Sequence, residues 1–351
     1  MPNAVPKLVL WKGVIGEMRK NPLLIASLAL AILAALLTGG CTDKDYPVSP
    51  VWRTWKNGDT VPGYILMYPS GSRGNVRAKG QMWDDFWALE LGSYLNSGNE
   101  DDHVFTVGEE MVVALYISDA SDSIWNGQHV IHLIWSDTDY DSPDTVSVYD
   151  LAANGKPAPT IDGDGSDEAW TFGGMPETQL EIAGVSGDNG LREAYLMAAH
   201  DGVKIYFKLA WPDPTGTNNM EKDMWQFDGQ AWTQQGEEDM AMFFFPTEQA
   251  PAGWDSLGGA TIDPEQGHPT DGTLNVWAWG AGRTNPLGRA EDLLATQTEL
   301  QADDGSGVAS PNYDPEKSYP PHVQHPAIEP SLGEKVLLAW ETVRYEDTIK
   351  P

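Results

Sequence analysis

Short hydrophobic runs, separated by Gly, Asn, Asp and Pro, recur along the chain from Asp43 onward. Runs of this length with turn residues between them are typical of β-strands in a sandwich, and they disfavour a sheet of strands alternating with helices. The clearest strand predictions are Met111–Ser118, His129–Trp135, Val203–Trp211, Met240–Phe245 and Leu274–Trp279. The pattern therefore predicts an all-β fold, an antiparallel β-sandwich with few short helices.

Three other segments predict a helix, a loop or surface strap, and a boundary within the chain. The best helix candidate is Arg289–Gln301, which follows a Gly and contains three leucines. The Pro-rich segment 310–330 is interpreted as an ordered loop or surface strap. The segment Ser136–Pro159 is rich in Asp, Ser and Pro and predicts an internal boundary between an N-terminal third and the remainder.

Composition and charge exclude several functions. The chain has 351 residues, with 21 Lys+Arg against 52 Asp+Glu and a net charge of −31. Because it lacks a basic patch, it is not expected to bind nucleic acid. Its single Cys excludes an intramolecular disulfide, a Cys-based metal site and a Cys-x-x-Cys-His haem attachment. The 15 Trp and the apolar runs argue for a folded chain.

The first forty residues have the pattern of an export signal. A basic segment with Lys7, Lys12, Arg19 and Lys20 precedes the apolar run Leu23–Leu37, and small residues then lead to Cys41. The Cys after small residues is similar to a bacterial lipobox, although Thr38 stands where Leu is usual. We expect residues 1–40 to be a lipoprotein signal peptide and Cys41 to be lipidated. The alternative is an uncleaved N-terminal anchor.

This expectation gives the mature chain a location. A lipid on Cys41 would anchor residues 41–351 to a membrane, with the protein exported to its periplasmic or extracellular face. Thr42 in place of Asp favours the outer membrane or cell surface over retention at the inner membrane.

Two sets of segments resemble one family. The stretches from residue 155 to the end resemble the N-terminal part of the ethylbenzene-dehydrogenase-type haem-binding domain, a DOMON-like sandwich related in fold to carbohydrate-binding modules. The most specific string is W-x-W-x-x-x-R-x-N-P-x-G-x-A-x-D within Val276–Asp292. The matching stretches are Thr160–Trp170, Val203–Thr215, Trp225–Trp232, Glu238–Pro246 and Val276–Asp292.

Residues 41–150 resemble the family's C-terminal third, which here comes first. The matching stretches are Gly58–Tyr64, Gly71–Trp87, Leu95–Phe105 and Met111–His129. Two explanations compete: a circularly permuted single domain over 41–351, or truncation after the start of a second repeat. Permutation is favoured, because the two parts add up to about one family-sized domain and sandwich termini often lie close together.

The resemblance implies haem b with two axial ligands. Relatives place one ligand, a Met, before the W-x-W strand and the other, a Lys, near the end of the domain. Here His268 and His129 stand in the corresponding loops, and they are predicted to be the two iron ligands. His132 is expected to point to the opposite face of its strand from His129.

Other candidates have weaker assignments. Lys79 and Arg283, with Arg73, are candidates for pairing with haem propionates or for plain surface positions. Met240 and Met242 are expected to pack in the core, with ligation of iron as the alternative. Four carboxylates could form a calcium loop, although a turn explains them equally well: Asp162, Asp164, Asp167 and Glu168.

The leading functional hypothesis is an exported haem b-binding electron-transfer lipoprotein with no substrate reaction of its own, at most a redox subunit of a larger dehydrogenase. A redox partner protein or self-assembly is expected. The alternatives are a carbohydrate-binding lipoprotein that stacks sugars on its Trp side chains, or a structural surface lipoprotein of the same fold without cofactor.

Overall fold

The computed structural model describes residues 53–84, 86–118, 128–138, 144–171, 177–183, 191–213, 224–235, 238–254, 262, 268–333 and 335–349. The signal segment and Cys41 lie outside these residues. The described part is mostly β-structure, with one α-helix, α1 (Glu168–Thr171), and 3-10 turns at Ser72–Gly74, Asn285–Leu287, Ala339–Glu341 and Tyr345–Thr348. No helix among the described residues is both long and apolar enough to cross a membrane.

The strands alternate inward and outward side chains, as the short apolar runs require. In chain order they are β1 (Thr60–Pro62), β2 (Tyr64–Gly71), β3 (Arg77–Trp83), β4 (Phe86–Tyr94), β5 (Met111–Ser118), β6 (Gln128–Trp135), β7 (Thr145–Asp150), β8 (Thr178–Ala183), β9 (Leu191–His200), β10 (Lys204–Pro212), β11 (Met224–Phe227), β12 (Trp232–Gln235), β13 (Met240–Pro246), β14 (Leu274–Gly280), β15 (Glu291–Ala295), β16 (Leu300–Ala302), β17 (Gly305–Pro311), β18 (His322–Gln324) and β19 (Thr342–Arg344).

Most of these strands belong to one large sheet. Its order is β16-β15-β14-β13-β5-β6-β7-β9-β10-β4-β3, with β8 also paired to β9. Three smaller sheets are formed by β1-β11-β12, β17-β2 and β18-β19. The prediction of an all-β fold is confirmed. The large sheet is mixed, however, because β7 runs parallel to both of its neighbours, β6 and β9.

Strands from the two ends of the sequence interleave in this sheet. β5 pairs with β13, and β4 pairs with β10. Two of the smaller sheets also join distant parts, through β1 with β11 and β2 with β17. The segment predicted as an internal boundary, Ser136–Pro159, contributes β7 to the middle of the sheet. Residues on both sides of it therefore share one hydrophobic core, while the predicted permutation relative to the family stays a prediction.

The sheet curls until its β3 edge meets the turn that follows β14. Arg77 forms an isolated bridge with Arg289, and the amide of Ala290 donates to the carbonyl of Val76 over 3.2 Å. The inner face encloses the main core, where fully buried aromatic and aliphatic side chains meet. This inner core includes Trp87, Leu89, Leu115, Ile131, Leu133, Phe207, Phe243, Phe245, Trp277 and Trp279.

Two outer surfaces of the sheet are covered by loops. Trp254 and Ile262 pack over β5, β13, β14 and β15 in a second cluster, here called the outer cluster. On the far side, α1 and the chain leading to it cover β7, β9 and β10. The strands under these loops therefore have apolar side chains on their outer face as well. Because both faces are buried there, the sequences of these strands are continuously hydrophobic.

The five strands predicted from the sequence are all present. Met111–Ser118 has the bounds that were predicted, three others differ by one residue at one end, and Val203–Trp211 is shifted by one residue at both ends. The helix prediction for Arg289–Gln301 is wrong. This segment forms β15 and β16, joined by a turn in which the Thr296 amide donates to the Glu299 carbonyl over 2.9 Å.

Candidate functional site

The W-x-W strand β14 supplies the centre of the inner core. Trp279 packs edge-on against Trp87, with ring centroids 5.1 Å apart, and also contacts Trp211 at 5.9 Å. Trp277 packs on Phe245 at 4.6 Å. Because these rings fill the space between the two sides of the curled sheet, both tryptophans of this motif are structural.

The Asn of the R-x-N-P string closes the sheet. Asn285 Oδ1 accepts from the Gly80 amide over 2.7 Å, and its Nδ2 donates to the Gly80 carbonyl over 3.0 Å. The indole of Trp279 also donates to Oδ1, over 3.3 Å. A Cβ on Gly80 would meet the Trp279 ring at 2.5 Å, so this position of β3 needs glycine.

Lys79 lies beside this closure. Its Nζ donates to the Asn285 carbonyl over 3.0 Å, and burial lowers the pKa of Lys79. Lys79 therefore binds the backbone of the R-x-N-P string, at the place where the sheet closes.

The Arg of the same string binds a buried carboxylate. Arg283 Nε lies 2.9 Å from Glu238 Oε1, while the amides of Gly282 and Arg283 donate to Oε2 over 2.6 and 2.9 Å. Glu238 is 4 % exposed. A Cβ on Gly280 would lie 2.6 Å from that carboxylate, so this position favours glycine. The guanidinium also contacts Met240 Sδ over 2.8 Å.

His129 lies on the inner face of β6. Its direct partner across the ladder is Leu115, and it shares its face with Ile131 and Leu133 of the inner core. The His129 side chain is 11 % exposed, and its Nε2 lies 3.2 Å from Asp144 Oδ1. The ring thus has a carboxylate partner.

His268 precedes Pro269, which forms a bridge with Ile262, and the Ile262 side chain packs in the outer cluster. His268 is half-buried, and its Nδ1 is buried without a hydrogen-bond partner in the described part of the chain. His132 pairs with Val112 of the outer cluster and is exposed, so it faces away from His129 as predicted.

The methionines of β13 pack as expected. Met242 is 4 % exposed within the outer cluster, and Met240 packs against the same cluster.

That His129 and His268 are the axial ligands of a haem b stays a prediction. In the described residues, the inner face beside His129 is filled by aromatic and aliphatic side chains. Lys79 and Arg283 are engaged by Asn285 and Glu238. Much of the two ligand loops, 119–127 and 255–267 apart from Ile262, lies outside the described residues.

The four carboxylates that could form the predicted calcium loop all have hydrogen-bond or ion-pair partners in the protein. Asp162 Oδ1 accepts from the Asp164 amide over 3.1 Å, and Asp164 Oδ1 accepts from the Ser166 amide over 2.7 Å. Asp167 Oδ2 accepts from the Thr160 amide over 2.7 Å, and Glu168 pairs with a lysine. The turn interpretation accounts for all four carboxylates.

This turn docks on Glu90, a fully buried residue of β4. Glu90 Oε2 accepts from the amides of Gly163 and Asp162 over 2.6 and 3.1 Å, and Oε1 accepts from the Trp170 indole over 2.6 Å. Burial raises the pKa of Glu90, although these hydrogen bonds act in the opposite direction. The segment Ile161–Gly163, at the start of the Thr160–Trp170 stretch, therefore donates hydrogen bonds to a buried carboxylate on the outer face of the sheet.

The tryptophans that could stack on sugars are mostly internal. Of those in the described residues, Trp83 and Trp340 are 50 % and 55 % exposed. Most of the others lie in the hydrophobic clusters, including Trp87, Trp170, Trp211, Trp225, Trp232, Trp254, Trp277 and Trp279.

One group of carboxylates was not singled out from the sequence. Asp101, Asp102 and Asp303 come together although about 200 residues separate the first two from the third, a loop span that no local motif records. The only local signal was the acidic, Asn- and Gly-containing string Asn96–Asp102.

These features define an all-β sandwich built on one curled sheet, with a W-x-W strand at its centre and an Arg/Asn turn that closes it. A family model described as ethylbenzene dehydrogenase matches residues 18–128 and 166–351, and the chain belongs to this family. It is thereby a relative of a dehydrogenase subunit. Searches of curated proteins and of solved structures found no match.

Proposed function

We propose that this chain is an exported, lipid-anchored and non-catalytic member of the ethylbenzene dehydrogenase family that folds and works without a haem of its own. Its role is to present the sandwich at the membrane surface, to a redox partner protein or to further copies of itself. The observation that carries this proposal is the filling of the inner face by aromatic side chains, among them Trp87, Phe243 and Trp279.

The surroundings of the family motif support the same proposal. Arg283 and Lys79 are used inside the fold, by Glu238 and by the Asn285 carbonyl. The motif thus has a sufficient structural role in closing the sheet. Of the alternatives, carbohydrate binding has less support, because most described tryptophans are in the cores.

Haem b-dependent electron transfer is the second candidate. It is favoured by His268 Nδ1, which is buried and has no partner in the described residues, in a loop where relatives place a ligand. A buried imidazole nitrogen without a hydrogen bond is costly unless something binds it.

The experiment that separates the two is an absorption spectrum of the full chain, purified from haem-replete cells and reconstituted with haemin. Without a haem site, the protein should show no stoichiometric Soret band and no sharp α and β bands on reduction. A low-spin spectrum at one haem per chain, lost in His268→Ala and kept in the exposed control His132→Ala, would establish the second candidate instead.

The anchor is tested separately. Cys41→Ser should leave the protein unprocessed and without lipid, which mass spectrometry and detergent partition detect. Unchanged mass and partition in this variant would refute lipidation at Cys41.

A further inference from the structure

A cluster of carboxylates lies where the loop after β4 meets the connection between β16 and β17. Asp101 and Asp102 come from the loop, and Asp303 from the connection. One ligand oxygen from each lies within 4.8 Å of the others. In the described part of the chain, no Lys, Arg or His forms an ion pair with any of the three.

Asp303 is the unusual member. It is 5 % exposed, and neither of its carboxylate oxygens has a hydrogen-bond partner among the described residues. Its polar neighbours are the other two carboxylates, and burial together with their charge raises the pKa of Asp303 to about 8. A buried carboxylate without donors is among the most costly groups in a fold, unless a cation or a proton compensates it.

Asp102 also has one carboxylate oxygen without a hydrogen-bond partner among the described residues. Its Oδ2 accepts from Asn99 Nδ2 over 3.0 Å, whereas its Oδ1 is buried without a partner. Asp292 lies behind the cluster, 1 % exposed, with Asn275 Nδ2 donating to its Oδ1 over 2.8 Å. Unpartnered oxygens from two segments thus point into one small, strongly negative space.

The spacing suits a large hard cation. Ca²⁺ binds oxygen at about 2.4 Å, so two of its ligands lie at most about 4.8 Å apart. The mutual distances of the three carboxylates meet this limit. Mg²⁺ binds at about 2.1 Å and keeps most of its water, which favours sites with fewer protein carboxylates.

We propose that Asp101, Asp102 and Asp303 bind one Ca²⁺, which ties the loop before β5 to the connection between β16 and β17. Backbone carbonyls and water complete its coordination. The ion neutralises carboxylates that the fold buries without donors, and it joins two segments that are distant in sequence. The site is separate from the turn at Asp162–Glu168, whose carboxylates are already used.

The test is a titration of the full chain, freed of metal with EDTA and then supplied with CaCl₂, followed by isothermal calorimetry and thermal unfolding. We expect one Ca²⁺ per chain and a rise in Tm of about 3 °C at saturating calcium. Absence of binding, or an equal rise with MgCl₂, would overturn the assignment. This arm needs no variant.

Asp303→Asn gives the sharper result. In EDTA its Tm should equal or exceed that of the wild type, because a neutral amide replaces a buried carboxyl group that must otherwise hold a proton or a like charge beside two carboxylates, and its rise with calcium should be lost. The control Asp164→Asn should keep the full rise. An Asp303→Asn protein that is less stable in EDTA and still responds to calcium would show that a shared proton or a plain structural role explains the cluster.

Discussion

Two buried carboxylates of this molecule have opposite surroundings. Glu90 is fully buried, and its oxygens accept from two amides and one indole. Asp303 is nearly as buried, and its oxygens have no donor among the described residues. The first carboxylate is solvated by a loop of the protein, whereas the second faces other carboxylates.

The effect of a buried carboxylate on stability therefore depends on its hydrogen-bond donors as well as on its burial. A buried acid with a full set of donors contributes to the fold, and removing it leaves those donors unpaired. A buried acid without donors weakens the fold unless a bound ion compensates it. Loss of the carboxylate should therefore destabilise the protein at Glu90, and it should not do so at Asp303 in the absence of calcium.

The largest effect is expected for Glu90→Ala. Three donors lose their acceptor, and two of these hydrogen bonds are buried, so the free energy of unfolding should fall by about 3 kcal/mol in urea titrations. Glu90→Gln keeps one acceptor oxygen and should lose about half as much. The exposed control Glu248→Ala should stay within about 0.5 kcal/mol of the wild type. A Glu90→Ala loss no larger than the control's would remove the basis of the comparison.

Asn285→Ala extends the comparison to a neutral group with a full set of partners. It removes both hydrogen bonds to Gly80 at the closure of the sheet, and it should lower the free energy of unfolding by about 2 kcal/mol. Asn154→Ala removes amide hydrogen bonds on the surface and should lower it by less than about 1 kcal/mol. Equal losses in the two variants would mean that the closure contributes no more than a surface turn.

Asp292→Asn should change stability in the opposite direction. Without calcium, it removes a buried carboxyl group, whose pKa burial and the neighbouring carboxylates raise well above its ordinary value, while its amide oxygen can still accept from Asn275. We expect a gain of about 1 kcal/mol in urea unfolding in EDTA. A loss of stability there would show that the negative charge at this position is already compensated within the fold.

The smallest effect is expected for His200, a buried imidazole that avoids the free-energy cost of a buried charge by staying neutral. His200 is 4 % exposed, its Nδ1 has no partner in the described residues, and its ring packs edge-on against Trp135. Burial lowers the pKa of His200, and the carboxylates of Asp150, Asp137 and Asp201 offset this only in part. The unfolded chain therefore takes up this proton at a higher pH than the folded one.

His200 thus contributes to pH dependence with a defined sign. Its contribution to stability is complete above its ordinary pKa of 6.5 and falls as the pH decreases below that value. His200→Gln should reduce the loss of stability between pH 7 and 5 by about 1 kcal/mol or less, measured by urea unfolding at each pH. An unchanged pH profile would show that other groups account for it.

The sequence predicted the strands well because their apolar runs are bounded by clear turn residues. Met111–Ser118 and Met240–Pro246 are buried on both faces, and nothing else in the local pattern competes with a strand there. The pattern failed at Arg289–Gln301, where three leucines suggested a helix. There, pairing of Leu293 with Val276 of β14 decides the structure, and this contact is tertiary.

The candidate site was less predictable than the fold. His129 and His132 were assigned to opposite faces correctly, since alternation along a strand fixes this. The position of His268 depends on the tertiary contacts of the long segment between β13 and β14, which local sequence does not determine. Likewise, β7 was hidden in a segment rich in Asp, Ser and Pro, and its place beside β9 is set by partners far along the chain.

The pairing of β1 with β11, β4 with β10, β5 with β13 and β2 with β17 has a consequence for the order of folding. The partner of each of these early strands is synthesised more than a hundred residues later. The N-terminal third therefore leaves the ribosome with unpaired strand edges. Such long-range pairing makes folding slow and exposes edge strands to aggregation in the meantime. The nascent chain should therefore depend on chaperones until Gly80 meets Asn285, the contact that closes the sheet.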